Sequence, residues 1–143
     1  MAIYFYSNSN KFFEFSNFSQ YGFNLKNKFW ATVEHYFQAQ KFSGLPQEEV
    51  IRTAATPKQA KELGRTRSLP LRADWEIVKD DIMREAVLAK FRAHEDLKEL
   101  LLSTGHDKLI ENAPKDYYWG CGQNGNGKNK LGKILMDTRD ILM

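Results

Sequence analysis

The spacing of apolar residues changes character along the chain. The first third interleaves aromatic and polar residues. Ile3-Tyr4-Phe5-Tyr6 is followed by Phe12, Phe13, Phe15, Phe18, Tyr21, Phe23, Phe29 and Trp30. The first of these runs predicts a strand. The others predict short extended pieces with turns at Asn8–Asn10 and Asn24–Lys28. Past residue 31 the spacing becomes helical. Thr32 is placed to cap a helix running to about Phe42, with Gly44 and Pro46 as its stop. A second helix covers about Gln47–Ala54. Thr56 followed by Pro57 is a cap with proline at the first helical position, and Gly64 closes that helix. Asp74 is placed to cap a long helix, roughly Trp75–Phe91, in which Ile77, Val78, Ile82, Met83, Ala86, Val87 and Ala89 keep near-helical spacing. His94–Thr104 predicts another helix, with Leu97, Leu100 and Leu101 inward and Gly105 after its end. Lys108–Glu111 reads as a short strand and Gly120–Lys128 as a glycine-rich loop. Lys130–Leu142 reads as a last helix with Leu131, Ile134, Leu135, Thr138 and Leu142 on one face.

No repeat, linker or low-complexity segment interrupts this order. The expected architecture is α+β and predominantly α-helical, a single compact domain over residues 1–143 with a few short N-terminal and central strands. The 143-residue length fits one domain of ordinary size. Hydrophobic residues at 42% and charged residues at 27% are globular proportions, which excludes extended disorder. With 21 Lys and Arg against 18 Asp and Glu, the net charge of +3 is an ordinary solvated surface rather than a nucleic-acid footprint. The one cysteine, Cys121, rules out an intrachain disulfide and fits a reducing, cytoplasmic setting. His35 with Cys121 is too small a set for zinc, so neither metal nor cofactor is expected. The longest hydrophobic run, Met1–Tyr6, falls far short of the roughly 20 residues a spanning helix needs. No basic segment precedes an apolar stretch, so neither a signal peptide nor a membrane partner is expected.

Two segments carry candidate chemistry. On the first helix Glu34, Gln38 and Lys41 stand at i, i+4 and i+7, on a different face from the mostly apolar stripe of Val33, Tyr36, Phe37 and Gln40. One reading is a solvated face with a weak Glu/Lys pairing. The other is a catalytic stripe. There a carboxylate activates water or steadies a developing cation, or a lysine with a lowered pKa attacks a sugar carbon. The second segment, Gly122 to Asn129, fits G-x-x-x-x-G-K, but Asn129 stands where a triphosphatase needs a hydroxyl for Mg²⁺. It remains either a glycine loop whose amides approach a phosphate, with Lys128 beside a helix N-terminus, or a tight turn capped by Asn129.

Taken in order, several motifs resemble the NADAR family. They are Phe15-Ser16-Asn17-Phe18; Glu34-His35-Tyr36-Phe37-Gln38-Ala39-Gln40-Lys41; Gly64-Arg65; Asp74-Trp75 with Lys79, Met83, Lys90 and Phe91; and Trp119-Gly120 with Gly127-Lys128-Asn129 and Leu131-Gly132. The resemblance runs from about Ile3 to Arg139. The helical segment is its specific part, which the glycine loop alone would not be. It implies a compact, mainly helical domain and hydrolysis of the C–N glycosidic bond between a ribose 5-phosphate and an amino-pyrimidine. The implied substrates are reactive intermediates of riboflavin biosynthesis, and the products ribose 5-phosphate and a free base. Other members of the wider family remove ADP-ribose from guanine in nucleic acid, which makes ADP-ribosylated nucleic acid a second possible partner. A non-catalytic module binding NAD or ADP-ribose is the third reading.

The chemistry implied by the resemblance selects residues. Such a cleavage develops oxocarbenium character at the anomeric carbon, which a carboxylate stabilises. Glu34 leads the catalytic candidates, with Lys41 and Asp116. Trp75 and Trp119 are candidate platforms for the base. Arg65, Lys79 and Lys128 are candidates for the phosphate, and Asn17 and Asn129 for ribose hydroxyls. Gln38 and Gly120 complete the binding set. The structural alternatives are core packing for Trp75, a turn for Asp116, caps or turns for the two asparagines, and surface charge for the three cations. Ser16 has no matched base and is not taken as a nucleophile. The chain departs from the family at Cys121, where members often carry Asp, and at Phe15, where Leu is common.

Overall fold

The computed structural model describes residues 1–8 and 11–143. Most of the turn expected at Asn8–Asn10 lies outside the described residues. The elements, in chain order, are β1 (Ala2–Phe5), a 3-10 turn (Phe13–Phe15), β2 (Phe23–Leu25), β3 (Lys28–Trp30), α1 (Val33–Gln40), α2 (Pro46–Arg52), α3 (Pro57–Gly64), α4 (Trp75–Ala93), α5 (Glu95–Ser103), β4 (Lys108–Glu111) and α6 (Lys130–Leu142). The fold is α+β and predominantly helical. By internal contacts it divides into two units. One comprises Met1–Ser19 with Phe91–Met143, and the other Gln20–Lys90.

In the first unit β1 and β4 pair in parallel, with Ile3 opposite Leu109 and Tyr4 opposite Ile110. Side chains alternate across such a pair. Phe5 and Leu109 are therefore buried, while Tyr4, Lys108 and Ile110 share the other face. Phe15 bridges Phe5 and Phe91, with ring centroids 5.9 and 6.0 Å apart. Leu97 and Leu101 of α5 and Leu131, Ile134 and Leu135 of α6 complete this core. Buried Arg139 of α6 donates through Nη1 to Thr104 Oγ1 and to the Asp107 carbonyl, both at 2.8 Å, and so fixes the turn between α5 and β4.

In the second unit the turn of the β2–β3 hairpin is made by Lys26 and Asn27, whose φ angles of 55° and 63° are both left-handed. That is the backbone of a type I′ turn, matched to the twist of paired strands. Lys28 of β3 reaches Glu49 of α2 at 2.9 Å, and Arg52 holds the same carboxylate at 2.7 Å. These cations hold the Glu49 carboxyl down at about 2. Trp30 is fully buried, edge-on to Tyr36 at 4.9 Å. Its indole donates to the Leu25 carbonyl. The Tyr36 hydroxyl donates to Glu85.

Helix α1 is buried along its whole length. Thr32 caps it as expected, its Oγ1 accepting from the His35 amide at 3.1 Å. The same hydroxyl donates to His35 Nδ1 at 2.8 Å, and His35 Nε2 donates to the Ala54 carbonyl at 3.0 Å. Both ring nitrogens are thereby used, and burial pushes the His35 pKa down. The helix ends at Gln40, earlier than Gly44. Arg72 closes it. Its amide donates to the Lys41 carbonyl at 3.0 Å and its guanidinium to the Gln40 carbonyl at 3.4 Å, answering carbonyls that a helix end leaves unpaired. Pro46 does not stop α1; it opens α2, where its missing N–H does no harm. Ile77, expected on the apolar face of α4, is 82% exposed. The Asp74 carbonyl accepts from the Val78 amide at 3.0 Å, while its carboxylate pairs with Arg72.

Candidate functional site

The polar stripe of α1 is not a solvated face. Glu34 and Gln38 are buried, at 7% and 5% exposure, because α3 lies across them. That approach depends on Gly64. A Cβ there would stand 2.0 Å from Gln38 Oε1 and 2.8 Å from Gln38 Cβ. Gln38 Nε2 donates to Glu34 Oε2 at 2.7 Å, one helical turn away. Gln38 Oε1 is buried with no hydrogen-bond partner among the described residues, an acceptor left open beside the acid. Lys41 Nζ donates to the Gly64 carbonyl at 3.3 Å. It also lies 6.0 Å from the Phe37 ring centroid and 5.9 Å from that of Trp75. Phe37 and Trp75 pack at 5.0 Å with planes tilted by 57°, so Trp75 is both core and a ring wall beside the amine.

The electrostatics follow from burial. Desolvation raises the Glu34 carboxyl above the usual carboxylate range, against the opposing pull of the Gln38 hydrogen bond and the charges of Lys61, Lys41 and Arg65. Desolvation likewise lowers the Lys41 ammonium; Arg65 adds to that and the Glu34 charge opposes it. A buried acid moved up and a buried amine moved down are shifted towards neutral pH, where proton transfer is most useful. The second unit thus gathers Glu34, Gln38, Lys41, Arg65 and Trp75. Lys79 is paired with Glu76 along α4 at 2.8 Å.

The remaining candidates belong to the first unit. Asn17 is buried just after the 3-10 turn. Asp116 Oδ1 accepts from the amides of Tyr118 at 3.0 Å and Trp119 at 2.8 Å, which is a side-chain-closed turn. Gly120 has no room for a side chain, since a Cβ would meet that of Ala113 at 2.7 Å. Several N–H groups at the end of the glycine loop and the start of α6 point inward rather than into an amide cradle for phosphate. Gly127 donates to Cys121, Lys128 to Tyr117, Asn129 to Gly120, Lys130 to Tyr118 and Leu131 to Trp119, all onto backbone carbonyls. Asn129 does not cap α6 with its side chain either. Its Oδ1 accepts from the Glu111 amide and its Nδ2 donates to the Leu109 carbonyl, both at 2.9 Å. The asparagine splices the loop to β4. Lys128 reaches over the Tyr118 ring at 5.4 Å, as Lys130 does at 5.6 Å. Cys121 is buried, its thiol 3.3 Å from the Gly122 carbonyl.

Sequence reasoning missed Lys61, whose charge acts on Glu34, and the packing role of Gly64. Both follow once α3 is laid against α1. Helical spacing puts Lys61 and Gly64 on one side of α3, but which helix they face is a tertiary fact. Among the described residues no three His, Cys, Asp or Glu side chains gather to hold a metal, and no helix is long and apolar enough to cross a membrane.

A buried acid with a raised pKa, steadied by an amide and set near an amine and two rings, is the equipment of an enzyme that cleaves glycosidic bonds through a cationic sugar. The comparisons agree with that class. The NADAR domain matches residues 4–143. The chain is 51% identical to N-glycosidase Npun_R5314 of Nostoc punctiforme, over 98% of this chain and 92% of that protein. It is 48% identical to N-glycosidase YbiA of Escherichia coli, over 98% and 88%. It also superposes on the NMR structure of E. coli YbiA with a TM-score of 0.91 and 47% identity, covering 99% of this chain and 84% of that one. A maize protein named "Riboflavin biosynthesis protein PYRR, chloroplastic" is 38% identical, over 99% of this chain but only 25% of its own length. The chain belongs to the NADAR family, and it is an N-glycosidase.

Proposed function

We propose that this N-glycosidase hydrolyses the C–N bond of phosphoribosylamino-pyrimidines, the reactive intermediates of riboflavin biosynthesis, to ribose 5-phosphate and a free base. The observation that carries the reading is the buried Glu34–Gln38 pair with Lys41 against Phe37 and Trp75. The riboflavin-biosynthesis name of the maize relative supports this substrate class. The family match runs through both units from residue 4 to residue 143, so we read them as one working domain. The single cysteine suits a reducing, cytoplasmic setting.

In this mechanism the C1′–N bond breaks with its electron pair moving to nitrogen. Positive charge spreads over C1′ and the ring oxygen, where the Glu34 carboxylate stabilises it. Water adds to C1′. Glu34 accepts a proton from that water and passes it to the departing nitrogen, which returns the carboxylate to its starting state. Gln38 orients the Glu34 carboxylate through its amide, and Trp75 holds the flat base. The lowered pKa of Lys41 favours a covalent variant, in which its amine displaces the pyrimidine amine from C1′ to give an imine of the opened sugar, and water hydrolyses that imine to the free sugar and the free lysine.

The test is release of ribose 5-phosphate from 5-amino-6-(5-phosphoribosylamino)uracil by purified protein with EDTA present. An ADP-ribosylated guanosine oligonucleotide is run in parallel. Release from the pyrimidine that disappears in Glu34→Gln supports the proposal. Cleavage of the oligonucleotide alone moves the chain to the ADP-ribosyl hydrolase branch, and silence on both overturns the substrate assignment. Borohydride trapping separates the two routes, since a sugar adduct on Lys41 forms only in the covalent one.

A further inference from the structure

On the face of the β1–β4 pair opposite Leu109 lies a cavity of about 250 Å³. It is lined by Tyr4, Lys108 and Ile110 of the strand pair, by Lys128 of the glycine loop, and by Lys133 and Met136 of α6. We propose that this cavity binds a small phosphomonoester bearing a flat ring, with the phosphate on the three ammonium groups and the ring against Tyr4, Ile110 and Met136. None of the side chains named around Glu34 lines it; Lys128 and Asn129, offered by the sequence as substrate ligands, do.

Charge carries the argument first. Three lysines line one small cavity and no carboxylate lines it. Elsewhere Lys28, Arg52, Arg72 and Lys79 each hold an acid. Among the described residues no carboxylate forms an ion pair with Lys108, Lys128 or Lys133. Gathering like charge raises the local potential, and an anion is its complement. Lys130, which shares the Tyr118 ring with Lys128, adds to that potential.

Chemistry narrows the anion. Three ammonium groups are point charges, which a multiply charged anion matches better than a monocarboxylate. Lysines bind phosphate as point charges, and a phosphate dianion answers several at once. The amides of Gly127 and Lys128 are given to backbone carbonyls, so at this end of the loop the anion is held by side chains. The apolar surface of Tyr4, Ile110 and Met136 gives a ring a wall to lie on. The volume is just below the roughly 300 Å³ of the smallest common ligand pockets, which suits a mononucleotide-sized ligand and not a dinucleotide.

The experiment is an amide-resolved NMR titration of the intact protein with uridine 5′-monophosphate, with uridine and inorganic phosphate as comparison probes. The expected result is saturable shifts at Tyr4, Lys108, Ile110, Lys133 and Met136 with the nucleotide, at least ~10-fold weaker binding of uridine, and about 10-fold weaker nucleotide binding in the exposed pair Lys108→Gln/Lys133→Gln. Glu34→Gln, which silences the glycosidase, keeps the same shifts. Lys133→Gln alone, with an unchanged spectrum elsewhere, guards against a folding defect in the double variant. Shifts confined to α1 and α3, equal binding of uridine, or binding unaffected by either lysine variant would overturn the proposal. Phosphate alone binding as tightly as the nucleotide overturns the ring contact.

Discussion

Glu34 sits where its charge is least stable and most useful. A carboxylate without its water shell holds its proton longer, and for the same reason binds a cationic sugar more strongly. Glu34→Gln keeps the volume and removes the charge. We expect kcat to fall by about 10²–10⁴, the usual worth of a positioned acid or base, with the circular dichroism spectrum unchanged. The variant should also unfold later than wild type at neutral pH. As pH rises above the ordinary value of 4.5 the unfolded chain gives up this proton before the folded chain does, so wild type loses stability there. The gap in melting temperature should close as pH falls towards 4.5, and a gap independent of pH would contradict the assignment. The kcat/KM profile should have an acid limb above 4.5 from Glu34. Below 10.5, Lys41 separates the two routes: activity rises as its amine is freed if the amine is the nucleophile, and falls if the ammonium is required. Lys41→Met should remove either inflection.

Contacts between elements set the precision of the site, and two residues show how. Gly64→Ala drives a methyl group into Gln38. Overpacking of this kind costs about 1–3 kcal/mol, and here it also displaces the amide that steadies Glu34. We expect a lower urea midpoint together with a fall in kcat that KM does not share. Asn129→Ala strands the Glu111 amide and the Leu109 carbonyl. At roughly 1–3 kcal/mol for each buried group left unpaired, the loss is about 2–6 kcal/mol. A variant of full stability with a raised KM would instead make Asn129 a ribose ligand. The elements themselves were largely legible. The limits of β4 and α6, the caps at Thr32 and Thr56 and the Pro57 start coincide with the observed ones, because caps, proline and periodicity act over three or four residues. The β2–β3 hairpin was visible only as a turn, since Lys26-Asn27 lacks the glycine that usually marks a type I′ geometry. The end of α1 was misplaced because Arg72, some thirty residues on, closes it.

For the molecule as a whole, stability against pH combines groups from distant parts of the sequence. His35 is held neutral by burial. Below 6.5 the unfolded chain takes up a proton that the folded chain refuses, so stability declines as pH falls through that window. Glu34 acts in the opposite sense as acid relieves its buried charge. Glu49, held at about 2, keeps its pairing with Lys28 and Arg52 through the whole range. In Glu34→Gln, where that opposing group is absent, urea midpoints should therefore fall between pH 7 and 5. Adding His35→Gln should flatten that fall while starting about 1–2 kcal/mol lower from its lost hydrogen bonds. A Glu34→Gln midpoint that rises towards pH 5 would remove His35 from this account.

The sequence by itself determined the helices, their caps, the order of elements and the spacing that aligns Glu34, Gln38 and Lys41, because these depend on neighbours a few residues apart. Its family motifs run nearly end to end, so family and enzyme class were also legible. Only the tertiary structure decided that the stripe is buried rather than solvated. Periodicity says which residues share a face, but not what covers that face, and here the cover is α3, admitted by Gly64. The same distinction holds at the glycine loop. Its sequence offers amides to an anion, and the fold gives those of residues 127–131 to carbonyls of residues 117–121, with lysines beside them as its cationic side. Burial and pairing are properties of contacts between remote segments, and the chemistry of this protein depends on both.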